Sequence, residues 1–178
     1  MQYVPCYGAL AALLFSAPVF SAELSPYIGQ ESREIKSLSA QEIEAYLAGK
    51  GMGLAKAAEL NGYPGPAHVL ELAQQLALTP EQRAQTETLF KNMQTQAIAA
   101  GKGLIAEERA LDHLFAMKNI SVEKLQSALK RIAEQQAQIR LSHLQAHLAQ
   151  VAILSPQQVA RYNEIRGYSD TVKHHTTH

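Results

Sequence analysis

The 178-residue chain has little of several residue types that other fold and function classes need. It contains no tryptophan, aromatic residues make up 6% of it, and its 16 Lys and Arg balance its 16 Asp and Glu. A chain without net charge has no bulk field to attract nucleic acid or anionic lipid, so we expect no nucleic-acid partner. Few aromatics and many Ala, Leu, Gln and Glu favour long helices over sheets. The composition therefore predicts an all-α protein.

The single cysteine, Cys6, lies before an apolar run near the N-terminus. Residues 1–22 contain no charged side chain, and the run from Gly8 to Phe20 has the length of a secretory signal and is too short to span a bilayer. Cleavage before Ala22 would leave a mature protein with neither thiol nor disulfide. No Lys or Arg precedes the run, which leaves a non-cleaved anchor as the alternative. We expect a signal peptide over residues 1–22 and an exported protein.

Two short segments repeat the same helix-start pattern of Leu, a hydroxyl residue, Pro, any residue and Gln. The hydroxyl residue is expected to cap the helix, the proline to take its first position, and the glutamine to reach back to the cap N–H. We call these segments the first and the second box; their members are Leu78, Thr79, Pro80 and Gln82 in the first, and Leu154, Ser155, Pro156 and Gln158 in the second.

Between the boxes, apolar or small residues at spacings of three, four and seven predict two long helices. The first runs from Pro80 to about Met117, and the second starts after a short turn at residues 118–120 and runs to the second box. Helices joined by so short a turn should be antiparallel neighbours, so we predict a long helical hairpin with short flanking helices. The predicted apolar seam uses positions 89, 93, 97, 100, 104, 111 and 115, then Val122, Leu125, Leu129, Ile132 and Ile139.

Glycines and prolines predict the remaining organisation of the hairpin and of the segment before it. Gly101 and Gly103 are expected to weaken and bend the first long helix. No sustained periodicity runs from Ala22 to Leu38, which predicts a mobile leader to which we assign no function. Ser39 and Glu42 form a capping box that starts a short helix.

A Gly- and Pro-rich break over residues 61–66 is the predicted domain boundary. It separates a signal peptide and an arm over residues 23–65 from a helical domain over residues 66–168, whose opening short helix is expected to reach Leu78. The last helix is expected from Pro156 to Arg166. Residues 169–178 are predicted to be a disordered tail that contains histidine.

A Leu-Thr-x-x-Gln type box near the start of one long helical segment, repeated near the C-terminus of an all-helical exported chain, resembles the Spy/CpxP family of periplasmic proteins. The resemblance covers roughly Pro66 to Tyr168, and the second box departs from it mildly, with Ser155 where Thr is usual. The family includes envelope-stress chaperones, heavy-metal sensors and zinc-resistance proteins. The resemblance implies a periplasmic, cradle-like homodimer whose concave face holds unfolded proteins without ATP.

Two histidines of the second long helix have the spacing of metal ligands. His143 and His147 are four residues apart, so both rings project from one helix face, where they continue the apolar seam. Met93 of the first long helix is expected to approach them across the hairpin. Neutral imidazoles with a thioether favour Zn, Ni or Cu over Mg or Ca. The alternative is a pair of hydrogen-bonded seam histidines that set the register of a dimer.

A further histidine, His68, precedes the first box by ten residues, and Glu71 lies one turn after it. In the metal-sensing branch, the resemblance implies ligands just before each box, a His-x-x-x-His pair before the first and a His-x-x-x-Met pair before the second. This sequence instead has one histidine before the first box and a His–His pair before the second. The candidate metal ligands are therefore His143, His147, His68, Met93 and Glu71.

The sequence offers no catalytic constellation, so we expect that the protein is not an enzyme. It has no H-E-x-x-H motif and no serine in a nucleophile-elbow context, and we interpret Glu107, Glu108 and Asp112 as a solvated acidic turn. The expected function is that of an ATP-independent periplasmic chaperone or envelope-stress protein that binds unfolded proteins on an apolar helical surface, with no required cofactor. The alternative is a periplasmic Zn, Ni or Cu sensor or buffer that acts on a membrane-bound partner.

Overall fold

The computed structural model describes residues 24–168, and this part of the chain is built from α-helices without any β-strand. The prediction of an all-α fold is confirmed. None of these helices is both long and apolar enough to cross a membrane. The predicted signal peptide with Cys6 and the predicted tail lie outside the described residues. The helices are α1 (Ala40–Leu47), α2 (Lys56–Glu59), α3 (Pro66–Glu71), α4 (Pro80–Ala116), α5 (Val122–Ile153) and α6 (Pro156–Ile165).

Each box starts a helix, α4 for the first box and α6 for the second. Thr79 accepts a hydrogen bond from the Gln82 amide while the Gln82 side chain accepts one from the Thr79 amide, and Ser155 and Gln158 repeat this exchange. The boxes also bind each other, since each glutamine side-chain amide donates to the other's oxygen at 2.9 Å. The two helix starts are thereby fixed side by side.

Helices α4 and α5 pack along each other and run antiparallel. Gln150 donates to Thr86 at 3.1 Å near one end, and Arg131 pairs with Glu107 at 2.7 Å nearer the connecting turn at residues 117–121. We call α4, this turn and α5 the hairpin. The apolar residues buried along its length are Met93, Ala97, Ala100, Leu104, Ile105, Ala128, Ile132, Ile139 and Ala146.

The predicted seam is wrong at the turn end of the hairpin. Phe115, Val122 and Leu129 are 49%, 64% and 49% exposed, and the buried position there is Ala128. Two helices alone bury only a narrow stripe between them, and the segments that cover the hairpin elsewhere do not reach this end. Apolar side chains are therefore presented to solvent around the turn.

The leader prediction is wrong for residues 34–38, which pack on α4. Ile35 is fully buried and Leu38 nearly so, both in a cluster with Ile105. Lys36 pairs with Asp112 at 3.3 Å on the same surface. Two buried side chains anchor this segment, and a stretch so short shows no periodicity in the sequence.

The acidic residues of α4 form no turn, contrary to the sequence interpretation. Helix α4 continues unbroken through them, so Glu107, Glu108 and Asp112 lie within successive turns of its surface. Glu108 accepts a hydrogen bond from the Ser37 hydroxyl at 2.7 Å, and Arg109 pairs with Glu34 at 2.8 Å. These polar contacts hold residues 34–38 and α5 against α4.

The short helices are shorter than their sequence patterns suggest. Helix α3 stops at Glu71 and not near Leu78, because the chain turns through residues 72–77 and Ala77 has a φ of 47°. The reversal still buries Val69 and Leu76 in one cluster with Leu154 and Tyr162. That cluster joins α3 to α6 beside the two boxes.

Gly101 is the point at which α1 crosses α4. A β-carbon at Gly101 would lie 2.6 Å from the carbonyl oxygen of Tyr46, a backbone atom near the end of α1. A β-carbon at Gly103 would meet only the flexible end of the Gln135 side chain. The first glycine is thus needed for a close helix crossing, and the second is not.

We expect Gly101→Ala to destabilise the fold by about 1–3 kcal/mol, because α1 must move away from α4 to relieve the overlap. Gly103→Ala is the matched control and should be neutral or stabilising by up to about 1 kcal/mol, since alanine is the better helix former. Urea unfolding of both variants measures the difference. Equal free energies of unfolding for the two variants would contradict the crossing.

Candidate functional site

A cavity of about 570 Å³ opens where the segment from Ala48 to His68 lies over the hairpin. Four of the five candidate ligands line it: His68, Met93, His143 and His147. Helix α5 supplies the last two from one face; Gly51, before α2, packs on His143, and Gly65, after α2, packs on His147. The predicted domain boundary at residues 61–66 is therefore part of the wall of this cavity.

His147 is held in one tautomer by the main chain. Its Nδ1 lies 2.7 Å from the carbonyl oxygen of Tyr63, which can only accept, so Nδ1 carries the proton. The lone pair of the neutral ring is then on Nε2. This arrangement, with one ring nitrogen donating to a carbonyl and the other free, is typical of histidines that bind metals.

His143 is 7% exposed, and its Nε2 is buried without a hydrogen-bond partner among the described residues. Burial, together with the charge of neighbouring His147, lowers the pKa of His143 below its ordinary value. The ring is therefore neutral at pH 7. A buried nitrogen without a partner is unfavourable, and a bound ligand would remove that cost.

Acid is expected to destabilise the fold through His143. Because its pKa is lowered in the folded state, the unfolded chain takes up a proton below about pH 6.5 that the folded chain resists. Stability that is present above this pH is lost as the pH falls, with a slope of up to about 1.4 kcal/mol per pH unit. Urea unfolding at about pH 7.5 and about pH 5.5 measures it. His143→Gln should reduce the slope and exposed His113→Gln should not; an unchanged slope in His143→Gln would exclude this origin.

Two glycines pack closely against the histidine rings. A β-carbon at Gly65 would lie 2.9 Å from Nε2 of His147, and one at Gly51 would lie 3.4 Å from Nδ1 of His143. A side chain at Gly65 would therefore collide with the His147 ring, so this close packing needs a glycine. The unpartnered nitrogen of His143, at a cavity that His147 and Met93 also line, is a donor that a metal ion could use.

The other predicted ligands differ in position. Met93 is buried and lines the cavity with the histidine pair. His68 lies at the same cavity, but its Nδ1 is 2.8 Å from Glu71, which does not line it. Within residues 24–168, no three His, Cys, Asp or Glu side chains come together to hold an ion. The thioether of Met93 is thus the predicted ligand that lines the cavity with the histidine pair, while Glu71 lies outside it.

Sequence reasoning missed Glu59, a largely buried carboxylate in the wall of the cavity. Its Oε1 accepts hydrogen bonds from Tyr162 at 2.5 Å and from Tyr168 at 3.1 Å, and Arg166 lies 3.5 Å from it. Burial and the bond to Glu59 raise the pKa of Tyr162. Glu59 thus ties α2 to the C-terminal helix, over more than a hundred residues of sequence that give no signal of the contact.

Glu59 also lies close to His147, one of the two histidines of the pair. Its Oε2 has no hydrogen-bond partner and lies 3.8 Å from Nδ1 of His147, the nitrogen that donates to the Tyr63 carbonyl. A carboxylate at this place favours the proton on Nδ1 and so the lone pair on Nε2. Glu59 therefore acts on the site through His147.

Comparison with protein-family models, curated proteins and solved structures finds no match for the chain. The resemblance to the Spy/CpxP family stays a prediction from the two boxes. The chemistry of the cavity is therefore the basis for assigning a function.

Proposed function

We propose that this chain is an exported, periplasmic binding protein of the Spy/CpxP kind that takes one late-transition-metal ion in the cavity. The observation that carries this proposal is the pair of imidazoles on the cavity wall, His143 with an unpartnered buried nitrogen and His147 with its Nδ1 held by the Tyr63 carbonyl. Met93 is the third protein donor. This donor set suits Zn, Ni or Cu, and it excludes the oxygen-rich site that Mg or Ca needs.

The biological role that fits such a site is that of a metal sensor or buffer. Glu59 connects His147 to Tyr162 and Arg166 of the C-terminal segment, so occupancy of the pair acts on the same contacts that hold α6. A signal can then pass from the metal to a surface that a membrane-bound partner recognises. The proposed assembly is a homodimer, which exposed Leu141 and Leu148 on the outer face of α5 support.

Calorimetric titration of the metal-free protein with Zn, Ni and Cu tests the metal proposal. The tail histidines His174, His175 and His178 are first replaced by alanine, so that they contribute no heat. We expect one ion per chain with sub-micromolar affinity for at least one of these metals. Weak binding of all three, or binding without a defined stoichiometry, would contradict the proposal.

A second candidate, binding of unfolded proteins, is favoured by the apolar side chains at the turn end of the hairpin. Phe115, Met117, Val122 and Leu129 are each about half exposed or more, so apolar side chains are accessible at this end. Suppression of the aggregation of a heated model protein tests this role. Serine at Phe115 and Val122 should abolish protection while His143→Ala leaves it intact; no protection by the unaltered protein at equal molar amounts would exclude it.

A further inference from the structure

The cavity is much larger than a bare metal ion needs. Its volume of about 570 Å³ is in the range of pockets that hold small organic ligands. The protein supplies two imidazoles and one thioether, and no third His, Cys, Asp or Glu of the described residues joins them. An ion held by His143, His147 and Met93 alone would therefore keep coordination positions directed into open space, where another ligand can reach it.

The charges around the cavity favour a ligand that carries negative charge. Lys50, Lys56 and Arg166 line it, and among the described lining residues Glu59 is the only acidic one. Oε1 of Glu59 lies 3.5 Å from Arg166 and accepts hydrogen bonds from two tyrosine hydroxyl groups, and its Oε2 lies beside His147. The described lining groups thus carry more positive than negative charge, which favours an anionic form of the metal over the bare ion.

The two lysines are placed to bind an anion at the mouth. Both are exposed, and within residues 24–168 neither ammonium group has an ion-pair partner. Lys50 directly precedes Gly51, which faces His143, and Lys56 opens α2; both lysines line the cavity that holds the histidine pair. An anion between them would be close to the open positions of an ion on the histidine pair.

We propose that the natural cargo is an anionic complex of the metal with a small polycarboxylate, held by His143 and His147 at the metal and by Lys50 and Lys56 at the carboxylates. This inference rests on the proposed metal-binding function and names the chemical form of its ligand. Binding replaces water on the metal with imidazole, and no bond of the organic ligand is broken. The negative charge of the complex offsets the lysines, so the assembly enters the cavity close to neutral.

Equilibrium dialysis of the full chain with nickel and radiolabelled citrate tests the proposal, again with alanine at the three tail histidines. We expect the protein to retain citrate only when nickel is present, with one citrate for each nickel. Lys50→Gln/Lys56→Gln should lower citrate retention by about tenfold, as for the loss of two exposed ion pairs, and should not weaken binding of nickel alone. The charge-matched control Lys102→Gln/Lys130→Gln, away from the cavity, should behave as the unaltered protein.

The other outcomes separate this inference from the metal proposal beneath it. If nickel alone binds but citrate removes it without being retained, the metal site stands and the anionic cargo is wrong. Citrate retained equally without nickel would show an organic-anion site and would also overturn the inference. If nickel is retained neither alone nor with citrate, the proposed metal-binding function itself fails.

Discussion

Replacing His143 and His147 together with alanine is expected to weaken the binding of Zn, Ni or Cu by more than about 100-fold. Removing even a partner behind a metal-ligating histidine costs about 10-fold to 100-fold in affinity, and this change removes two ligands themselves. The rings share one helix face, and His143 offers a buried nitrogen with no hydrogen-bond partner among the described residues. Calorimetric titration of the double variant beside the unaltered protein measures the loss.

The control for this change is His113→Ala. His113 is exposed on α4 and does not line the cavity, so its loss should leave the affinity unchanged. Far-ultraviolet circular dichroism shows whether the double variant keeps its helices. A folded double variant that binds as tightly as the unaltered protein would place the metal elsewhere and remove the histidine pair from the site.

Tyr162→Ala is expected to lower the free energy of unfolding by about 3–5 kcal/mol, the cost of emptying a fully buried aromatic site. Tyr162 has no exposed surface and packs with Val69, Leu76 and Leu154 at the joint between α3 and α6. Its hydroxyl also donates to Glu59, so the change leaves a buried carboxylate with one donor fewer. Urea unfolding measures the loss.

Tyr162→Phe separates the two contributions, because it keeps the ring and removes only the hydroxyl. We expect it to cost about 1–3 kcal/mol, the price of leaving a buried acceptor short of a donor. Metal affinity should also fall in this variant if Glu59 orients His147, because Glu59 then loses the hydrogen bond from the Tyr162 hydroxyl that holds it in place. A phenylalanine variant as unstable as the alanine variant would mean that the ring packing contributes little.

The features that the sequence predicted well are local ones. The boxes at Thr79 and Ser155 depend on a hydroxyl, a proline and a glutamine within four residues, and the same chemistry operates wherever the chain carries them. Four-residue spacing likewise places His143 and His147 on one face of any helix. The helix periodicity also placed Met93 on the side of α4 that faces this pair.

The features that the sequence did not reveal depend on contacts between distant segments. Ile35 and Leu38 are too few to produce a periodic pattern, yet they dock the leader on Ile105. The sequence also did not show why position 101 needs a glycine, because a larger residue would clash with a carbonyl more than fifty residues away. Glu59 was missed for the same reason, since its partners lie about ninety or more residues later in the chain.

X-ray absorption spectroscopy of the nickel- or copper-loaded protein, with the tail histidines replaced, tests the central claim most directly. We expect scattering from two imidazole rings and one sulfur atom around the metal. The sulfur signal should be lost in Met93→Leu, and the imidazole signal should be lost in His143→Ala/His147→Ala. A spectrum with only oxygen neighbours, or one that both variants leave unchanged, would contradict a metal site at this histidine pair.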